Sequence, residues 1–201
     1  MGRWEPDAPG RLAKAAMELY AEQGFEQTTV AEIAARAGLT ERTFFRHFAD
    51  KREVLFYGME MLGDLLVRAV ADAPAPATAM DAVGAAFRAA GSVLQESPER
   101  VRMRDAIVSA NAELRERELI KLAALAAAVA GALRDRGVPE PAASLAAETG
   151  VAVFKVAFAR WARDPAQPDL PGIFGELMDE LRGVLADRAR PWPGEAAAAR
   201  T

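Results

Sequence analysis

The chain has no cysteine and a single histidine, His47. The first absence excludes disulfides, thiol catalysis and cysteine-ligated metals. The second excludes histidine-rich zinc sites and helical di-iron sites that need Glu-x-x-His pairs. Carboxylate-only Mg²⁺ binding survives, but no acidic cluster suggests it, and no cofactor is expected. Also missing are an apolar run behind a basic start and any stretch approaching ~20 strongly apolar residues. Residues 122–133 are rich in alanine and leucine, yet too short and too interrupted to span a membrane. The expectation is a soluble, cytoplasmic protein with no membrane partner. Period-two alternation is almost absent as well, while apolar residues recur at spacings of three and four nearly throughout. The expected class is all-α.

What is present is enough hydrophobic material for a proper core: 201 residues, 51% of them hydrophobic. The net charge of −4 argues against a nucleic-acid-binding coat over the whole surface. Charge is therefore read locally. Between Arg36 and Arg52 stand the cations Arg36, Arg42, Arg46, Lys51 and Arg52 against only Glu41 and Asp50. Arginine outnumbers lysine 21 to 4 across a chain that is also rich in alanine. That bias reads as codon composition, so arginine richness alone is not counted as a functional signal.

Residues 1–9, broken by Pro6 and Pro9, read as a tail. A first helix is expected over about 10–23, ended by Gly24. A second starts at Thr29, where Thr29 and Glu32 make a capping box, and runs to Arg36. Ala37-Gly38-Leu39 is a turn, and Thr40 can cap a third helix to about His47. A fourth is expected from near Lys51, carrying Leu55, Met59, Leu62 and Leu66. The prolines of "DAPAPAT" (72–78) break it off. Further helices are expected at about 78–96, 98–110, 112–136, 140–163 and 172–189, and residues 191–201 read as a second tail.

Helices two and three have what a helix-turn-helix requires. Ala34 and Gly38 are the small positions at the crossing, and Ile33, Leu39, Phe44 and Phe48 are the lock. Phe44 and Phe48 are four apart and share a face. Thr40, Glu41, Arg42, Thr43 and Arg46 are left at the start and outer face of helix three, where base edges are approached in a major groove. The same spacing also suits a solvated helical hairpin that merely builds its own core.

The longer stretch "GFEQTTVAEIAARAGLTERTFFRHFADKREVL", Gly24 to Leu55, closely resembles the N-terminal domain of the TetR (tetracycline-repressor) family. The elements stand in order: Gly24-Phe25, Thr28-Thr29-Val30, Ile33-Ala34 with Ala37-Gly38, the Thr43-Phe44-Phe45 step, His47-Phe48 and then Lys51. The resemblance covers roughly residues 10–57. It implies an N-terminal three-helix DNA-binding domain (10–50), a connecting fourth helix (51–71) and a larger helical ligand-binding and dimerisation domain (72–190).

The resemblance also implies roles. Thr28 and Thr29 would meet a phosphate at the start of helix two, Lys51 matches a phosphate-contacting lysine, and His47 would face the backbone or else pack between helices three and four. Thr43 would donate to phosphate or set its methyl against thymine. Two departures stand out. Phe45 occupies a position where tyrosine is common, which removes a hydroxyl from the phosphate contact. Arg42 occupies one where glycine is common, and its guanidinium could read guanine, bind phosphate, or pair with Glu41 or Asp50. Arg36 and Arg52 read as surface cations or peripheral phosphate contacts.

A small reading head gains affinity by pairing, so double-stranded operator DNA and a second copy of the chain are the expected partners. The segment 140–163 is apolar on more than one face. Leu145, Ala152 and Val156 form one stripe; Val151, Phe154, Phe158 and Trp161 form another. Such a helix must be covered nearly all round. The final helix adds Phe174, Leu177, Leu181, Val184 and Leu185, and the resemblance implies a four-helix dimer interface made by these last two helices. It also implies a small-molecule effector, unidentified here, that enters among the middle helices and shifts the fourth. Candidate lining residues are Met80, Phe87, Leu94, Met103, Ile107, Phe154, Phe158 and Trp161, all of which also suit an ordinary core. Lys155, Glu148 and Asn111 are candidate polar orienters. An enzyme has no support: no nucleophile–base pair, metal cluster or glycine-rich phosphate loop is present. Two other readings stay open, an activator and a helical binding protein whose head no longer engages DNA.

Overall fold

In the computed structural model the described residues are 7–164, 166 and 169–186. They form nine α-helices and no strand: α1 (Ala8–Gln23), α2 (Val30–Arg36), α3 (Glu41–His47), α4 (Met59–Ala71), α5 (Ala79–Gln95), α6 (Pro98–Ala110), α7 (Ala112–Asp135), α8 (Ala142–Arg163) and α9 (Leu170–Ala186). The expected tail 191–201 and the first six residues lie outside the described residues. Helix α1 starts earlier than the sequence suggests, because the Asp7 carboxylate accepts the Gly10 N–H at 2.9 Å and Pro9 needs no donor in the first turn.

The helices enclose two cores. The smaller joins α1, α2 and α3 through Leu12, Leu19, Ile33, Phe44 and Phe48, and reaches Val108 of α6 and Leu114 of α7. The larger is made by α4, α5, α7, α8 and α9 around Phe87, Phe154, Trp161 and Phe174. Gly150 lets α8 approach α5 closely: a Cβ there would lie 2.4 Å from Val83 Cγ1 and 2.7 Å from the Phe87 ring.

The connection between the cores departs from the expected continuous helix. A 3₁₀ turn, Glu53–Phe56, comes first, and α4 begins only after Gly58. The cause is local. Asp50 accepts the N–H groups of Arg52 and Glu53 at 2.8 and 3.1 Å, which starts a tight turn. Val54, Leu55 and Phe56 are then all buried in succession. The Leu55 carbonyl accepts from Arg104 Nε at 3.2 Å.

Helix α8 is long and apolar enough, by length and composition alone, to cross a membrane. Its inner face is core: Gly150, Phe154, Ala157 and Trp161 are buried. The opposite stripe, Leu145, Ala152 and Val156, is exposed, as are Val184 and Leu185 on α9.

Candidate nucleic-acid interface

Both short helices of the reading head start on side-chain caps. Thr29 Oγ1 accepts the Glu32 N–H at 3.2 Å while the Glu32 carboxylate accepts the Thr29 N–H at 2.8 Å. That backbone N–H, then the Thr29 hydroxyl and Gln23, hold the Glu32 carboxyl below its ordinary pKa. Thr40 Oγ1 accepts the Thr43 N–H at 3.2 Å, and the two threonine hydroxyls are 3.1 Å apart. Gly38, at φ 67°, makes the turn between the helices in a conformation that L side chains rarely adopt. The Leu39 N–H then closes on the Ala34 carbonyl at 2.8 Å. Ile33, Ala34 and Phe44 are buried under the crossing.

This lock fixes which side of α3 faces outward. Glu41, Arg42, Phe45, Arg46 and His47 are exposed, and Thr43 is half-buried. Phe45 is 56% exposed and meets the buried Phe44 edge-on, at 5.5 Å between ring centroids. His47 is exposed, its Nε2 3.3 Å from Arg46 Nη2, rather than packed between helices. Arg42 makes no hydrogen bond or ion pair among the described residues, so the pairing with Glu41 or Asp50 left open by the sequence is not made.

Three residues expected near phosphate are occupied inside the protein. Thr28 is buried and donates its hydroxyl to the Gly24 carbonyl at 2.8 Å. Lys51 Nζ donates to the carbonyls of Phe25, Glu26 and Thr28 at 2.8, 3.1 and 3.0 Å, which uses all its N–H groups. Thr29 is exposed, but its hydroxyl is spent on Glu32 at 2.8 Å. Of the flanking cations, Arg36 pairs with Glu22 and Glu18, and Arg52 with Asp50 and Glu113. Arg42 and Arg46 are the cations of this segment that remain turned outward without an acid partner among the described residues.

A clasp of side chains was not foreseen. Glu53 pairs with Arg117 and with Lys121 (2.9 Å), and Arg117 reaches Asp50 at 3.5 Å. Arg104 pairs with Glu118 and lies 4.9 Å over the Phe56 ring. Tyr20 donates its hydroxyl to the Lys51 carbonyl at 2.6 Å, and burial, followed by the nearby Asp50 charge, pushes its phenol pKa up. The available signal was the run of charges at 113, 117, 118 and 121, but pairing across elements leaves no local pattern.

Of the candidate ligand residues, Phe87, Phe154, Phe158 and Trp161 come together in a row, with centroid steps of 5.3, 6.4 and 5.8 Å, and Phe174 stacks on Phe87 at 5.8 Å. Met80 and Leu94 pack at the rim of this core. Met103 instead is 41% exposed, and Ile107 packs with the smaller core. Two surface grooves lie elsewhere. One of about 180 Å³ includes Ser144 and Glu148; another of about 540 Å³ includes Lys155 and Arg163. Lys155 and Glu148 thus face different grooves, and Asn111 Nδ2 is spent on the Ile107 carbonyl at 2.7 Å.

A helix-turn-helix head with a helical core behind it defines a class, and the comparisons agree. Residues 12–57 match the family described as bacterial regulatory proteins, tetR family. The HTH-type transcriptional regulator TcmR of Streptomyces glaucescens is 39% identical over 79 residues, 39% of this chain and 35% of TcmR. The chain therefore aligns with about a third of that relative. Among solved structures, SmeT of Stenotrophomonas maltophilia in complex with triclosan superposes with a TM-score of 0.63 at 23% identity, covering 92% of this chain and 98% of that one. The regulator FadR of Bacillus subtilis with stearoyl-CoA gives 0.60 at 20% identity, covering 85% and 95%. These structural likenesses show a shared fold. Residues 12–57 thus carry a tetR-family domain, and the matched relative is a transcriptional regulator.

Proposed function

We propose that the chain is a ligand-responsive transcriptional regulator, a cytoplasmic repressor that binds a palindromic operator as a dimer and leaves it when a small molecule binds. The observation that carries this reading is the outer face of α3. Capped, glycine-turned and locked on Phe44, the helix presents Thr40, Arg42, Phe45, Arg46 and His47 outward, with Arg42 uncommitted among the described residues. A short helix held this way suits a major groove, its first residues toward base edges.

Lys51 and Thr28 support the reading indirectly, by fixing the loop that leads into α2. Pairing of two heads is supported by the exposed stripe Leu145–Ala152–Val156 on α8 and by Val184 and Leu185 on α9, apolar surface suited to a second copy. Ligand response is supported by relatives of the same fold held with triclosan or stearoyl-CoA. Release would follow if ligand favours a head spacing that no longer matches successive major grooves.

The test is selection of bound duplexes from a random pool using ligand-stripped protein, then titration of the winner against salt. A palindrome with half-sites about one helical turn apart is the expected result. An unenriched pool would reduce the helix-turn-helix to a structural element.

A further inference from the structure

Arg102, on α6, stands over the end of the aromatic row. Its guanidinium carbon is 4.5 Å from the Trp161 ring centroid, and Nη2 donates to the Trp161 carbonyl at 3.3 Å. Its Nε is buried with no hydrogen-bond partner, and Arg102 forms no ion pair among the described residues. A partly buried cation held over an apolar ring without an acid is costly unless an anion joins it. On the same helix Asp105 makes no ion pair with Arg102; burial and then the Glu118 charge push its carboxyl above the ordinary range, against Arg104 and Arg163.

We propose that Arg102 and Trp161 are the recognition point for an organic anion with an apolar body, which enters between α6 and α8, sets its charge on Arg102 and its body along Trp161 and Phe158. This rests on the ligand-responsive reading above and assigns that effector its chemistry. Three features of α6 fit it for the task. Val108 is its only fully buried side chain, so little packing holds it. Ser97, before its first turn, is not helical and caps it with no side-chain hydrogen bond. The same helix also reaches the connector, where Arg104 holds the Leu55 carbonyl and covers Phe56. Displacing α6 from Trp161 therefore pulls on the segment that carries the head.

A matched pair of probes tests this: 8-anilinonaphthalene-1-sulfonate, and N-phenyl-1-naphthylamine, which has the same aromatic body without the sulfonate. In a Trp4→Phe, Trp192→Phe background, Trp161 is the sole indole, and energy transfer to bound dye reports its neighbourhood. The sulfonate should quench Trp161 emission. Arg102→Gln should weaken it roughly tenfold, the scale of one charge-assisted contact, and leave the uncharged dye unchanged. Arg102→Lys should retain most of the sulfonate affinity, and a thermal melt of each variant checks folding. No transfer from Trp161 in the parent, equal loss of both dyes, or no loss with Arg102→Gln would each overturn the proposal. Operator binding is measured separately. Dye discrimination without DNA binding would leave the anion site standing and remove the regulator reading; DNA binding without discrimination would do the reverse.

Discussion

Lys51 Nζ lies 2.8 Å from the Phe25 carbonyl and 4.5 Å from the centroid of the same residue's ring, so one ammonium ties down both the backbone and the side chain that open the α1–α2 loop. With its N–H groups directed at three carbonyls, Lys51 is a positioning residue of the reading head.

Lys51→Met should therefore destabilise the head by about 1.5–3 kcal/mol, the range for hydrogen bonds to a charged group. Hydrogen exchange across residues 24–30 would measure it. A direct phosphate contact predicts a different result: the slope of log affinity against log salt would fall by about one unit with stability unchanged.

Arg42 has the opposite character, exposed and without a partner among the described residues. Arg42→Ala should relax specificity at one symmetric pair of operator positions by roughly 1–3 kcal/mol and leave affinity for random duplex nearly unchanged. Operators altered one base pair at a time would show this. Equal loss on operator and random DNA would assign Arg42 to phosphate instead.

Much of this head was legible in sequence because its determinants are local. The Thr29–Glu32 box, the Thr40 cap, Gly38 and the Phe44/Phe48 spacing each depend on residues within a few positions, and each stands where expected. Lys51 and Thr28 were not legible in the same way. Their partners are backbone carbonyls, which carry no residue identity, so the sequence showed a cation and a hydroxyl without showing that both were spent. The connector failed for a related reason: the Leu55–Met59–Leu62–Leu66 spacing is helical, but the Leu55 carbonyl is held by Arg104, 49 positions away.

The exposed stripe of α8 makes the proposed dimerisation separable from folding. Val156 is 57% exposed, so Val156→Asp removes no contact from the protomer core. Sedimentation should show weaker self-association, by roughly tenfold or about 1.4 kcal/mol, with helix content and protomer melting unchanged and operator affinity lowered. An unaltered dimer would place the interface elsewhere.

Asp50 gives the head–core joint a pH dependence. Burial works to raise its carboxyl, but the Glu53 N–H, Arg117, the Arg52 N–H and the Arg52 charge outweigh it, and the pKa falls below the ordinary value. A depressed carboxyl contributes stability that is full above the unfolded pKa, near 3.9, and is lost as pH falls through the lower folded value. Asp50→Asn should cost about 1 kcal/mol at neutral pH and shrink the acid-side loss by the same amount. Denaturant melts of both proteins from neutral to acid pH would show it, and parallel curves would remove Asp50 from the account.

The break at Gly58 leaves the head without a stiff rod behind it. Its pose depends instead on Glu53, Arg104, Arg117 and Lys121, residues remote from the outer face of α3. In the proposed regulator, spelling and spacing of a target site would then diverge independently: exchanges on α3 would rewrite the half-site, whereas exchanges along the first turns of α7 would alter the distance between half-sites while every base contact is kept.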